Sequence, residues 1–156
     1  MKKAALLVLF ILISTFSWAS MVSFFVVETG LSIDGAETRH SIIWENAFLD
    51  VFFDAGHIVS NAPVLRLESK PSGEILDEIN FDIHDARRAR VDYLIIAQLD
   101  YASQDSYPAE ILFYIFNINT SENIYERRIQ GRTYRTDREE LDYLKTLARG
   151  FLTYVN

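Results

Sequence analysis

Apolar residues recur with helical spacing in three segments of this chain. The first predicts a helix from about Thr38 to Ala55, because its apolar positions share one face and Gly56 stands where a C-cap is expected. The second predicts a helix from about Gly73 to Arg90. Its inner face would consist of four apolar side chains: Ile75, Ile79, Ile83 and Ala86.

The third helix has the clearest beginning. Thr136 and Glu139 match the S/T-x-x-E capping box, and Asp137 adds negative charge to the first turn, where the helix dipole favours it. The apolar positions then continue to the chain end at Leu141, Leu144, Ala148, Phe151 and Val155. This pattern predicts a helix over the last twenty or so residues.

The remaining apolar segments are typical of strands. The stretch RARVDYLIIAQLDY, residues 88–101, passes from charged positions to an almost unbroken apolar run, which predicts a central strand buried on both faces. Further strands are predicted at residues 21–28, 57–68, 110–118 and 124–134, with Pro63 marking a break or an edge. The last two are separated by a short turn and predict a hairpin.

These elements predict a single α/β domain over residues 20–156, with two or three layers around a mixed sheet. The predicted order is β-α-β-α-β-β-β-α. At 156 residues the chain is long enough to bury a core without disulfides or structural metals, and 49% of its residues are hydrophobic. It has no cysteine, which excludes disulfides, thiolate metal sites, cysteine nucleophiles and a cysteine-linked lipid anchor.

The amino-terminal segment has the pattern of a secretory signal peptide. Two lysines precede thirteen uncharged, mostly apolar residues from Ala4 to Phe16, and Ser17 and Ala19 have the small side chains that signal peptidase requires. We therefore expect residues 1–19 to be removed and the protein to be periplasmic or secreted. The alternative is an uncleaved anchor, because the uncharged stretch continues to Val27 and is long enough to span a bilayer.

The charge balance argues against nucleic acid as a partner. The chain has a net charge of −7, and without Lys2 and Lys3 thirteen basic residues face twenty-two acidic ones. An acidic surface repels nucleic acid and anionic headgroups. We expect membrane contact only if the amino-terminal segment stays attached.

The motifs of common α/β enzymes are missing. The sequence has no glycine-rich phosphate loop and no G-x-S-x-G elbow. The three histidines, His40, His57 and His84, lack the spacing of a zinc site, and we interpret them as solvated helix residues. We therefore predict no metal, no cofactor and no catalytic residue.

Two charged features have both a structural and a functional interpretation. Asp50 with Asp54, and Glu78 with Asp82, are spaced to share a helix face, but exposed carboxylates are commonly only solvated surface. Four arginines lie along the last strand and past its end, and they could bind an anionic group: Arg127, Arg128, Arg132 and Arg135. The interpretation we favour is that they protect an edge strand from aggregation.

The loop ASQDSYPAE, residues 102–110, is the predicted partner-binding surface. It joins two strands that a much shorter turn would connect, and Tyr101 and Tyr107 flank it. Tyrosine combines a large contact area with a polar tip and is enriched at interfaces. The alternative is that both tyrosines cover the end of the core.

Three stretches resemble a family of envelope domains. They are IIWENAFLDVFFDAGHIVSNAP, ARRARVDYLIIAQLDY and ILFYIFNINTSENIYERRIQG. Each is similar to a helix, turn or hairpin of the periplasmic α/β domain shared by the TolB amino-terminal domain, the CsgG curli exporter and the lipoprotein LpoB. The resemblance implies an adaptor or assembly part of the bacterial envelope, and it implies no enzyme chemistry.

Two functions follow as hypotheses. The first is a non-catalytic secreted or periplasmic domain that binds another envelope protein during assembly or transport. The alternative is a protein that binds a small molecule or glycan, or a hydrolase with an unrecognised acidic site, using loops at the carboxyl ends of the strands. The sequence does not indicate an oligomeric state.

Overall fold

One mixed sheet organises the chain. The computed structural model describes residues 19–32, 38–103 and 106–155. Its six strands are β1 (Met21–Thr29), β2 (Ile58–Asn61), β3 (Leu65–Leu67), β4 (Tyr93–Asp100), β5 (Glu110–Asn117) and β6 (Glu122–Gln130). The order across the sheet is β2-β1-β4-β5-β6, and β3 pairs with β1 farther along the same side. β1 is parallel to β2, β3 and β4, whereas β4, β5 and β6 are antiparallel.

Helices cover both faces of this sheet. They are α1 (Arg39–Asp54), α2 (Ile75–Glu78), α3 (Ile83–Arg88) and α4 (Asp137–Phe151), and α4 continues into a 3₁₀ turn (Leu152–Tyr154). The first core, under α1 and α4, includes Phe48, Phe113 and Phe151. The second, under α2 and α3, includes Ile75 and Ala86. The predicted α/β class with a mixed sheet is confirmed, in its three-layer form.

The predicted central strand is confirmed in β4. Leu94, Ile95, Ile96 and Ala97 are all 0% exposed, with alternate residues facing the two cores. This is the burial that a near-continuous apolar run indicates, because both faces of the strand lie under helices.

The single helix predicted from Gly73 to Arg90 is wrong, because the structure has α2 and α3 there. Asn80 has a φ of 51°, in the left-handed region that asparagine tolerates better than most residues. Asp82 then begins α3 by accepting hydrogen bonds from the backbone N–H groups of His84 and Asp85. The apolar spacing of the segment is real, but a turn interrupts it. The extended segment at residues 57–68 is similarly divided into β2 and β3 around Pro63.

The predicted beginning of α4 is confirmed. Thr136 Oγ1 accepts a hydrogen bond from the Glu139 backbone N–H at 3.2 Å, and the Glu139 carboxylate accepts one from the Arg135 N–H at 3.0 Å. Leu141 is only half-buried, whereas Glu140 beside it is 0% exposed. A carboxylate therefore occupies a position in the core-facing side of α4.

The predicted signal peptide falls almost entirely on residues 1–18, which lie outside the described residues. In the part of the chain that the structure describes, no helix is both long enough and apolar enough to cross a membrane.

Candidate interaction surface

Tyr101 lies inside the protein, not on an exposed loop. Its side chain is 3% exposed, and its hydroxyl is 2.8 Å from Thr38 Oγ1 and 3.4 Å from Ser41 Oγ. Burial raises the pKa of Tyr101 to about 12. These contacts hold Tyr101 in the core, between β4 and the beginning of α1. Its position matches the alternative interpretation from the sequence, in which the tyrosine covers the end of the core.

Tyr107 is half-buried and closes over the same end of the core. Its hydroxyl donates to the Tyr134 backbone carbonyl at 2.9 Å, and its ring centroid lies 4.2 Å from that of His40. Tyr101 and Tyr107 therefore do not form an exposed pair. A partner contact at Tyr107 stays a prediction, and residues 104 and 105 of its loop lie outside the described residues.

A buried carboxylate holds the carboxyl end of β1 to its neighbours. Glu28 is 0% exposed, and its Oε1 accepts from Ser41 Oγ at 2.5 Å and from the Thr38 N–H at 2.8 Å. Its Oε2 accepts from Arg66 Nε at 2.6 Å. Burial alone would raise the pKa of Glu28, but these hydrogen bonds together hold it below its ordinary value. Both oxygens are thus used inside the protein.

A second buried carboxylate joins α4 to α1. Glu140 Oε2 lies 2.9 Å from His40 Nδ1, and the two side chains are 1% and 14% exposed. Burial raises the pKa of Glu140, and the hydrogen bond with His40 opposes that effect. The interpretation of the histidines as solvated is wrong for His40, and also for His57, which is 8% exposed.

Three of the four acidic residues in the pairs noted in the sequence have local structural roles. Asp50 forms an ion pair with Lys145 at 2.9 Å, Glu78 accepts a hydrogen bond from Ser72, and Asp82 caps α3. All of these carboxylates belong to exposed residues. Among the described residues, no group of three or more His, Asp or Glu side chains could hold a metal ion.

The arginines of the last strand lie along an open edge of the sheet. β6 pairs with β5, and no other described strand pairs with it. Arg127 and Arg128 are exposed on β6, and Arg132 and Arg135 are exposed in the segment that follows. The register with β5 shifts near Ile124 and is regular from Tyr125 to Gln130. The protein therefore presents a regular edge on which Arg127 and Arg128 stand beside the exposed Glu122 and Glu126, with two further arginines just past its end.

A groove runs beside this edge, between β6 and α4. It has a volume of about 320 Å³ and is lined by three tyrosines, other apolar groups and one arginine: Tyr125, Arg127, Tyr143, Thr146, Leu147, Gly150, Phe151 and Tyr154. At its end the Arg132 guanidinium lies 4.8 Å from the Tyr143 ring centroid. Aromatic and arginine side chains are the types enriched in protein interfaces.

The opposite face of the hairpin also has a recess. About 520 Å³ of open space separates α2 and α3 from β5 and β6, with Tyr114 and Phe116 stacked on its floor. Its charged lining residues, Glu74 and Glu126, are both exposed. The recess also borders β6, at Asn123 and Glu126, but its lining is more polar than that of the groove beside α4, which holds three tyrosines.

Sequence patterns did not indicate the two buried carboxylates or the groove. Glu28 and Glu140 sit beside apolar residues in elements that were recognised, but their partners are far away in the sequence. The only local indication of a buried carboxylate was Glu28, a charged residue at the end of the apolar β1 stretch SFFVVET.

Comparison with known proteins assigns the chain to a family. A family model described as "Uncharacterised protein" matches residues 22–130. The chain belongs to that family. The matched region extends from β1 to the end of β6 and stops before α4. No curated protein matches the chain at a significant level.

Several solved structures are distantly similar. TolB from Acinetobacter baumannii is 9% identical with a TM-score of 0.49, and the match covers 88% of this chain but 29% of that chain. A PelC dodecamer from Paraburkholderia phytofirmans is 11% identical with a TM-score of 0.48, covering 88% and 90% of the two chains. The LpoB C-terminal domain from Salmonella enterica is 8% identical with a TM-score of 0.39, covering 79% and 90%. TolB and LpoB are two of the proteins whose domain the sequence resembles.

Proposed function

We propose that this protein is an exported, non-catalytic domain of the bacterial envelope that binds another protein by strand addition at β6. The observation that carries the proposal is the open edge of β6 beside a tyrosine-lined groove. An edge strand leaves alternate backbone N–H and C=O groups unpaired, and an extended segment of a partner satisfies them by joining the sheet.

The shape of the edge suits this mode of binding. Six residues from Tyr125 to Gln130 pair regularly with β5, which is long enough to template another strand. Alternate side chains of an added strand would lie towards α4, over Tyr143 and Leu147 in the groove. The backbone would supply affinity, and the groove would supply selectivity for the partner's side chains.

Charge favours a partner segment with acidic residues. Arg127, Arg132 and Arg135 are exposed along this side, although the chain as a whole has a net charge of −7. If two copies of β6 paired antiparallel about Arg127, this arginine would face its own copy, and that like-charge contact would disfavour the pairing. Protection from self-association and selection of an acidic partner are therefore compatible roles for one set of arginines.

The absence of catalysis is part of the proposal. Glu28 and Glu140 are the fully buried carboxylates of the described residues, and internal donors already occupy both. Export is proposed from the amino-terminal segment alone, with residues 1–19 acting as a signal peptide.

Photo-crosslinking in the native envelope tests the surface directly. A photoreactive residue at Thr146, which is exposed on α4 and lines the groove, should crosslink one dominant protein. The matched control at Asn46, exposed on α1, should not. Arg127→Glu combined with Arg132→Glu should reduce the crosslink by about tenfold or more, as loss of interface charge complementarity commonly does.

Equal crosslinking from Thr146 and Asn46, or crosslinking that survives the charge reversal at all salt concentrations, would contradict the proposed surface. The variants should melt at the wild-type temperature, because exposed substitutions seldom change stability by more than about 0.5 kcal/mol.

A further inference from the structure

Hydrogen bonds between β5 and β6 decide which residues of β6 turn their backbone groups to the open edge. The Gly131 N–H donates to the Ala109 carbonyl at 2.9 Å, so these residues form a hydrogen-bonded pair directly beyond the register of the two strands. Hydrogen-bonded pairs occur at every second position of an antiparallel ladder. The odd-numbered residues from 125 to 129 therefore bond to β5, and the even-numbered ones direct their N–H and C=O groups to the open edge: Glu126, Arg128 and Gln130.

The two faces of β6 have different neighbours. Tyr125 and Arg127 line the groove beside α4, and Ile129 packs against the core on that side. Glu126 lines the recess on the other face, between the hairpin and the helices α2 and α3. Since side chains alternate along a strand, a segment added at this edge would also present alternate side chains to the groove and to the recess.

The charges along β6 differ in whether the protein already pairs them. Arg128 lies 3.5 Å from the Glu110 carboxylate on β5. Glu126 and Arg127 are both exposed, and neither takes part in an ion pair with another residue that the structure describes. These two opposite charges are neighbours in the sequence and face opposite sides of the sheet. They therefore favour two adjacent residues of opposite charge in an added strand.

We propose that the partner segment runs antiparallel to β6 and reads, from its amino end, apolar, any residue, acidic, basic, apolar. This inference rests on the proposed strand addition and specifies the sequence of the added strand. The acidic residue lies opposite Arg127 and the basic residue opposite Glu126. The two apolar residues lie opposite Ile129 and Tyr125, on the side of the groove.

The antiparallel direction is favoured by the sheet and by the geometry of its edge. β4, β5 and β6 are antiparallel to one another in turn, and antiparallel pairing is the more stable per residue. Because the Arg127 backbone bonds to β5, the residue opposite it in the added strand belongs to a non-hydrogen-bonded pair, in which side chains approach most closely. An acidic residue gains most at that position, where a second copy of β6 centred on Arg127 brings another arginine.

Three peptides of identical composition test the pattern and its direction. Thr-Val-Thr-Glu-Lys-Val-Thr has the antiparallel pattern, Thr-Val-Lys-Glu-Thr-Val-Thr has the parallel one, and Thr-Val-Thr-Lys-Glu-Val-Thr has the two charges exchanged. Each is offered at equal concentration to the full chain with a photoreactive residue at Thr146, and capture from Asn46 gives the background. The first peptide should be captured more than the second, and about fivefold or more over the third, in which both charges meet like charges.

Exchanging the two charges in the protein should reverse the preference. Glu126→Arg combined with Arg127→Glu keeps the net charge, and the third peptide should then be captured more than the first. A substitution that only disturbed the surface would weaken capture of both peptides alike. Equal capture of the three peptides, strongest capture of the parallel one, or a preference that the exchange leaves unchanged overturns the pattern.

The pattern and strand addition itself fail in different experiments. Absence of a dominant envelope crosslink from Thr146 contradicts strand addition at β6, and with it the pattern. If that crosslink forms but no peptide is captured above the Asn46 background, the pattern is wrong and strand addition stands.

Discussion

Glu28 and Arg66 are register partners on the neighbouring parallel strands β1 and β3, and their side chains form an ion pair inside the protein. Arg66 Nε lies 2.6 Å from Glu28 Oε2, and the residues are 9% and 0% exposed. Arg66 also donates to the Ser32 carbonyl, and Glu28 accepts from Ser41 and Thr38. The pair fixes the short strand β3 beside the end of β1.

Removing one member of this pair should therefore be costly. Arg66→Met would leave the buried Glu28 carboxylate without its charge partner, and we expect a loss of about 3–5 kcal/mol in the free energy of unfolding. The control is Lys145→Met, which breaks the more exposed pair with Asp50 and should cost at most about 1 kcal/mol. Urea denaturation measures both; similar losses would show that the buried pair adds little.

Glu28 and Glu140 should give opposite dependences of stability on pH. The pKa of Glu28 is lowered in the folded protein, so its contribution is complete above its ordinary pKa of 4.5 and is lost as pH falls through the folded-state pKa. The pKa of Glu140 is raised, so its contribution is complete below 4.5 and is lost as pH rises through the folded-state pKa.

Two glutamine variants separate these effects. The stability advantage of wild type over Glu28→Gln should shrink as pH falls below 4.5, whereas wild type should lose stability relative to Glu140→Gln as pH rises above 4.5. Unfolding free energies at several pH values give the two slopes. Slopes of the same sign would contradict the assigned burial and hydrogen bonding of these carboxylates.

The centre of β4 should not accept charge. Leu94→Asp or Ile96→Asp would bury an unpaired carboxylate at a position that is 0% exposed, which a domain stable by only about 5–15 kcal/mol can hardly tolerate. Ile42→Asp, in the exposed first turn of α1, is the control and should stay soluble. Soluble β4 variants with a wild-type melting temperature would place this strand outside the core.

Tyr107 should affect stability through its internal contacts. Tyr107→Ala removes the packing on His40 and the hydrogen bond to Tyr134, and we expect it to lower the unfolding free energy by about 1–3 kcal/mol. Tyr107→Phe keeps the ring and should cost only about 1 kcal/mol. If Tyr107→Ala melts like wild type but weakens partner capture, the tyrosine is a contact residue, as the sequence predicted.

The mature protein should begin at or near Ser20. Ser17 and Ala19 provide the small residues of a cleavage site after an apolar segment. The intact mass of the native protein decides this. A full-length species that requires detergent would establish the anchored alternative.

Local patterns predicted the elements whose structure depends mainly on neighbouring residues. The apolar run of β4 and the cap of α4 at Thr136 are examples. The pattern did not predict the break at Asn80, because the apolar spacing continues across it. The first helix ends near Asn80, which has a left-handed backbone, and the next helix begins where Asp82 caps it. Periodicity reports which side chains are buried, and a helix and a helix-turn-helix can bury the same ones.

The buried carboxylates and the open edge of β6 could not be predicted, because they result from contacts between residues far apart in the sequence. Glu28 meets Arg66 only because β1 and β3 are neighbours, and His40 meets Glu140 only because α1 and α4 pack side by side. The arginines of β6 were recognised, but their position on an outer edge follows from the sheet order. Tyr101 was predicted at a surface because it flanks a loop in the sequence. It is buried instead because its hydroxyl contacts Thr38 and Ser41 at the beginning of α1, about sixty residues earlier in the chain.

The central position of β1 has a consequence for how the chain folds. All of its strand neighbours, β2, β3 and β4, come later in the sequence, and Thr29 pairs with Asp100, which lies 71 residues away. The β5–β6 hairpin can form as soon as it is made, whereas the side of β1 that pairs with β4 stays open until β4 is available. A chain made amino end first therefore exposes this apolar side of β1 throughout that interval, and an exposed apolar strand edge is prone to aggregation.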